Sequence, residues 1–208
     1  RSTEKLYEQN DVRSQYITGL IKSVNNYAVS LCSLLQRSEG SPLSDFLINL
    51  SGSPEDVQAN LLYEYRTYCQ WGYLINTWTV TEEAIRLIAP HIVSTNGKKI
   101  WLIIRDVLRE TCVIDQEELF TVIRALRNLQ HTNAVHTDRH IVGSVEWDDS
   151  KGKHWRFVLE FGACFDHTQI TNEFLCYTLP TELAGAFVRM FETQKVQAVQ
   201  RIPRLICK

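Results

Sequence analysis

The chain has 208 residues, a net charge of −2, 44% hydrophobic and 22% charged residues. This balance excludes disorder throughout, a collagenous or low-complexity chain, and a general nucleic-acid coat, while leaving room for a local basic site. The length suits one large domain or two small ones and can bury a real core.

In chain order, residues 2–37 place Leu6, Ile17, Leu20, Ile21, Val24, Tyr27, Ala28, Leu31, Leu34 and Leu35 at spacings of three, four and seven. That period predicts a helix with one buried face. Ser38-Glu39-Gly40-Ser41-Pro42 ends it, and a short apolar piece follows over 46–50. Ser53-Pro54-Glu55-Asp56 is a start signal: Ser53 caps, Pro54 suits the first helical position and Asp56 completes the box. The helix it opens runs to about residue 89, with Gly72 as a kink or close contact, and stops at Pro90. A helix over 98–111 turns Ile100, Trp101, Ile103, Ile104, Val107 and Leu108 inward. Asp115-Gln116-Glu117-Glu118 reads as another capping box, before Leu119, Phe120, Ile123, Leu126 and Leu129.

The pattern changes after about residue 140. Residues 141–147 and 154–161 have strand character and flank the polar turn 148–153, a hairpin signal. Residues 174–179 read as a third strand. Pro180-Thr181-Glu182 opens a last helix to about 199, with Leu183, Phe187, Val188, Met190, Phe191 and Val196 on it. The expected fold is mainly α (α+β): a bundle of about five helices over 1–140, then a β-hairpin or small antiparallel sheet and a C-terminal helix over 141–208, all in a single domain 1–208.

Six cysteines are widely spaced and form no CxxC. Cys32, Cys69 and Cys112 lie in apolar, helix-like context, where a free thiol acts as a small hydrophobe, so a reduced cytoplasmic setting is expected. The even count leaves disulfides open. No membrane span and no leader-like opening are expected; the first residue is Arg1.

The densest polar constellation lies over 124–140, at the end of a predicted helix, and holds Arg124, Arg127, Asn128, His131, His136, Arg139 and His140. On a helix, Arg127 and His131 share a face. A guanidinium holds a phosphate by paired N–H bonds, and an imidazole moves a proton near neutral pH. Together they suit cleavage of a phosphodiester that brings its own nucleophile, the RNA 2′-hydroxyl, with no cofactor. Basic groups also gather at helix C-termini because they complement the macrodipole. In that case the chain is a non-catalytic helical protein-interaction domain.

Arg127-Asn128 followed by His131 or His136 resembles the motif of the HEPN superfamily (higher eukaryotes and prokaryotes nucleotide-binding domain): an Arg, often followed by Asn, a short spacer and a His at the end of a core helix. Three residues separate Arg127 from His131 and eight separate it from His136, while six separate Arg124 from His131. Arg127, Asn128 and His131 are the first choice as the catalytic set, with His136 and Arg124 as substitutes. The resemblance covers residues 54–140. It implies a small helical bundle that forms a homodimer with two motifs across the interface. It also implies a metal-independent ribonuclease or RNA-binding protein of a bacterial defence or toxin–antitoxin type, with RNA and an antitoxin or other protein as partners. It further implies an acidic residue on an earlier core helix near the Arg/His site, where Glu82 or Glu83 would orient the His or Arg; with Arg124 these are the substrate-binding candidates. The plainer use of Glu82 is an intrahelical pair with Arg86 at i, i+4.

No metal site is expected. His136-x3-His140 and Cys164-x2-His167 are feasible half-sites for zinc, but Asn133 and Thr137 read as helix-ending residues and no HExxH occurs. There is no G-x-S-x-G elbow, P-loop or GxGxxG. Trp147, Trp155, Phe157 and Phe161 offer either a base-stacking surface or sheet packing, and packing is the expectation adopted.

Overall fold

The computed structural model describes residues 11–35, 55–132, 135–139, 141, 143–199 and 202. The segment 36–54, with its predicted helix end, apolar piece and Ser53 cap, lies outside the described residues, as do Leu6 and His140. The architecture is mainly helical with a two-stranded antiparallel sheet.

Helix α1 (Val12–Leu35) packs along α2 (Glu55–Ile88). Leu20 and Tyr27 are buried as the period predicts, whereas Ile21 is exposed. The close helix contact falls at Gly19, where an added Cβ would lie 2.9 Å from Val80 Cγ1. Gly72, expected to mark a kink or contact, has open space at the Cβ position and the helix runs through it. Pro90 ends α2 in a single 3-10 turn, Ala89–His91.

Helix α3 (Ile100–Glu110) buries Ile103, Ile104, Val107 and Leu108. A 3-10 turn, Ile114–Gln116, leads into α4 (Glu117–His131). The expected capping box is not formed: no side chain caps α4, and Asp115 instead accepts from Arg189 Nη2 at 2.8 Å. The one-sided burial of Leu119, Phe120, Ile123, Leu126 and Leu129 is as expected.

Strands β1 (Gly143–Asp148) and β2 (His154–Leu159) pair with Trp147 opposite Trp155. Val145, Trp147, Trp155, Phe157 and Leu159 join the same core as the helices. Asp149 organises the turn, accepting from the backbone N–H groups of Lys151 and Lys153 and from Trp155 Nε1, each at 2.9 Å. Residues 174–179 are not a strand. Phe174–Thr178 form a π-helical turn that runs into α5 (Leu179–Glu192). Phe174, Leu175, Thr178 and Leu179 are the buried positions there, a helical rather than alternating spacing. Thr193 breaks the last helix, leaving a short α6 (Gln194–Gln197), and Val188 faces solvent. Glu182 of α5 holds the hairpin turn through Ser150, accepting from its N–H at 3.0 Å and its hydroxyl at 2.5 Å.

Phe187 of α5 is the aromatic centre, 3.7 Å from the Tyr16 ring centroid and within ring contact of Phe120 and Phe191. Beside it, Arg13 is 1% exposed. Its Nε and Nη2 donate to Asp11 at 2.7 and 2.5 Å, and its Nη1 donates to the carbonyls of Val196 and Val199. Asp11 also accepts from the backbone N–H of Ile202. Burial alone pushes the Asp11 carboxyl up; the hydrogen bonds from Arg13 and Ile202 outweigh it and hold the group below its ordinary value. Among the described residues, Cys32, Cys69, Cys112, Cys164 and Cys176 are free, and no helix is long and apolar enough to cross a membrane. Cys32 and Cys112 are exposed rather than in the expected apolar surroundings.

The two glycines give opposite expectations in urea unfolding. Gly72→Ala raises stability by about 0.5–1 kcal/mol through helix propensity, whereas Gly19→Leu lowers it by about 1–3 kcal/mol through overpacking against Val80. Asp11→Asn leaves a buried guanidinium uncompensated and costs about 3–5 kcal/mol. Because the folded Asp11 pKa is depressed, its contribution is complete above the unfolded value of about 3.9 and is lost as pH falls through the folded value. An acid titration of unfolding therefore shows a smaller loss below that pH in Asp11→Asn than in the parent.

Candidate functional site

Helix α4 presents its apolar positions to the core and leaves Arg124, Arg127 and Asn128 half-buried on another side of its last two turns. Asn128 Oδ1 accepts from Arg127 Nη1 at 3.2 Å. Among the described residues no carboxylate pairs with Arg127. His131 is the last residue of the helix, one turn beyond Arg127; its side chain lies outside the described residues.

Arg124 is used differently. It is 12% exposed, bonded through Nη2 to Asp138, with its guanidinium carbon 4.4 Å from the centroid of a Trp101 ring. The ion pair and the cation–π contact together fold the segment after α4 back along the helix. Sequence spacing had no means of finding this pair, since Asp138 lies 14 residues on and outside the helix.

Thr132 closes α4: its hydroxyl lies 2.5 Å from the Val135 carbonyl and 3.2 Å from those of Asn128 and Leu129. Beyond it Val135 bridges to Cys164. His136, a candidate for the catalytic set, is 2% exposed. Its Nε2–H donates to the Ile141 carbonyl at 2.8 Å, its N–H donates to the Ala163 carbonyl at 3.0 Å, and its carbonyl accepts from Gly162 at 2.8 Å. The ring is a staple between two loops, enclosed away from an incoming phosphate.

The acidic candidates sit elsewhere. Glu82 takes the plainer role: it accepts from Arg86 Nε and Nη2 at 2.9 and 2.7 Å and from Trp78 Nε1 at 2.7 Å. Glu83 lines a small cleft between α1 and α2 with Gln15 and Gly19. None of Glu82's hydrogen bonds reaches Arg124 or Arg127 among the described residues. The structure thus brings Arg127 and Asn128 together, leaves His131 on the same helix, and commits Arg124, His136 and Glu82 to structural partners.

Removing the His136 ring leaves the buried Ile141 carbonyl unpaired. His136→Ala is expected to lower stability by about 1–3 kcal/mol in thermal unfolding. Amide exchange at Gly162 and Ala163 speeds up with it, because the loop pairing rests on the same residue.

No family model, no curated protein and no solved structure matches this chain.

Proposed function

We propose that the chain is a HEPN-like, metal-independent endoribonuclease of a bacterial defence or toxin–antitoxin type, acting in the cytoplasm as a homodimer. The observation that carries this reading is the Arg127–Asn128 pair: a half-buried guanidinium, held by a neutral amide at 3.2 Å, in the last turns of a core helix. A cation without a carboxylate partner keeps its attraction for phosphate. With Arg124 and His136 taken by structural partners, the catalytic set reduces to Arg127, Asn128 and His131.

In this reading Arg127 donates two N–H bonds to the non-bridging oxygens of the scissile phosphate, and Asn128 fixes the fork. The RNA 2′-oxygen attacks phosphorus, its proton leaves to a base, and the P–O5′ bond breaks as the 5′-oxygen takes a proton. His131 serves as the proton-transfer group, with the partner chain's copy of the motif across the two-fold. The products are a 2′,3′-cyclic phosphate and a 5′-hydroxyl.

A second reading, a non-catalytic protein-interaction domain, is favoured by an apolar groove of about 450 Å3 between α1 and α5, lined by Ile17, Leu20, Ile21, Val24, Pro180 and Ala184. The two separate on purified protein incubated with RNA in excess chelator. The ribonuclease cleaves to cyclic-phosphate ends, and Arg127→Ala or His131→Ala lowers the rate by at least about 100-fold with the fold intact. Arg127→Lys does not restore it, since an ammonium lacks the fork. Absence of cleavage by folded, dimeric protein leaves the interaction reading.

A further inference from the structure

Of the four aromatic residues of the hairpin region, Trp147, Trp155 and Phe157 are buried in the core while Phe161 is 51% exposed. Phe161 stands in a tight turn closed by the Ala163 N–H to Glu160 carbonyl bond at 3.1 Å, with Gly162 at φ +78°. Glycine is suited to that left-handed position. The turn is held from below by both backbone bonds of His136. An aromatic ring so exposed adds little to the core, while the backbone that carries it is hydrogen-bonded in place. The guanidinium of Arg139, itself exposed, lies 5.5 Å from the ring centroid. Arg139 directly follows Asp138, which is bonded to Arg124, one turn before Arg127 on α4. Arg139 thus follows directly on the residue that anchors this segment to α4, and Phe161 meets it through the ring contact.

We infer that Phe161 and Arg139 form a binding platform for single-stranded RNA flanking the phosphate held at Arg127. This rests on the ribonuclease reading and names its substrate class. Phe161 stacks one unpaired base, and Arg139, over the ring, contacts the adjoining phosphate. A base in a duplex has no free face to offer such a ring, so the platform selects single strands. Because His136 and the Arg124–Asp138 pair hold both loops in place before RNA arrives, binding does not have to order them.

The test uses the full chain, a labelled uridine oligonucleotide, and a duplex as a second probe, with circular dichroism as the check of folding. Phe161→Ala weakens binding of the single strand by about 5- to 150-fold, the range for loss of one stacked base, and leaves duplex binding unchanged. Phe161→Trp keeps the affinity. Arg139→Ala flattens the dependence of log affinity on log salt by about 0.7, the share of one phosphate contact on a single strand. If the parent binds or cleaves the oligonucleotide and Phe161→Ala binds it equally well, the platform is overturned and the ribonuclease reading stands. If the folded parent neither binds nor cleaves either probe, the ribonuclease reading itself fails and the platform with it.

Discussion

A guanidinium that is 1% exposed has to find protein acceptors for its N–H groups, and Arg13 does so by joining the two ends of the described chain. Its carboxylate partner lies two residues earlier and its carbonyl acceptors more than 180 residues later, at Val196 and Val199. The start of α1 is thereby locked to the end of the α5–α6 segment. That lock places Tyr16 flat on Phe187, and Phe187 in turn meets Phe120 of α4. The helix that carries the candidate site is thus seated against the same aromatic centre that the buried ion pair closes. The pair adds specificity more than net stability, since two charges removed from water recover little beyond their desolvation cost.

From α4 outward, order passes to the loops through polar contacts. Arg124 between Trp101 and Asp138, and His136 between Ile141 and the Gly162–Ala163 backbone, use groups of the kind expected in an active site as structural supports. A functional side chain is positioned most sharply when it sits on a rigid element with fixed neighbours. Arg127 and Asn128 meet that condition because the helix beneath them buries Phe120, Ile123 and Leu126 completely.

The helical part was legible because burial there follows a period of 3.6: Ile103, Ile104, Val107 and Leu108, or Leu119, Phe120, Ile123 and Leu126, are the residues the pattern names. The hairpin was legible from alternation around a polar turn. What failed has a common origin in partners distant in sequence. Asp115 looks like a box residue but bonds to Arg189, 74 positions away. The run 174–179 is rich in residues that suit strands, yet it lies beside Thr171, whose hydroxyl accepts the Phe174 N–H at 3.1 Å and starts a helical turn. Gly72 and Gly19 are alike in sequence, and only the crossing of α1 over α2 distinguishes them. In the candidate site, the residue types were legible but their division of labour was not, because burial of His136 and pairing of Arg124 depend on loops with no periodicity.

The division has an electrostatic consequence at the end of α4. The C-terminal carbonyls of a helix carry about half a negative charge, which repels a phosphate. Thr132 sets only a hydroxyl, with a single proton, near two of those carbonyls, which brings no positive charge. Arg124 adds little, because Asp138 neutralises it. Arg127 and Arg139 are held instead by an amide and by a ring, neither of which cancels a charge. A chain with a net charge of −2 can present a positive face only where its cations lack carboxylate neighbours. Several cations elsewhere, among them Arg86, Lys98, Arg156, Arg189 and Lys195, are matched by carboxylates. Among the described residues, Arg127 and Arg139 thus have neutral partners, one in the last turns of α4 and one in the segment that folds back along it.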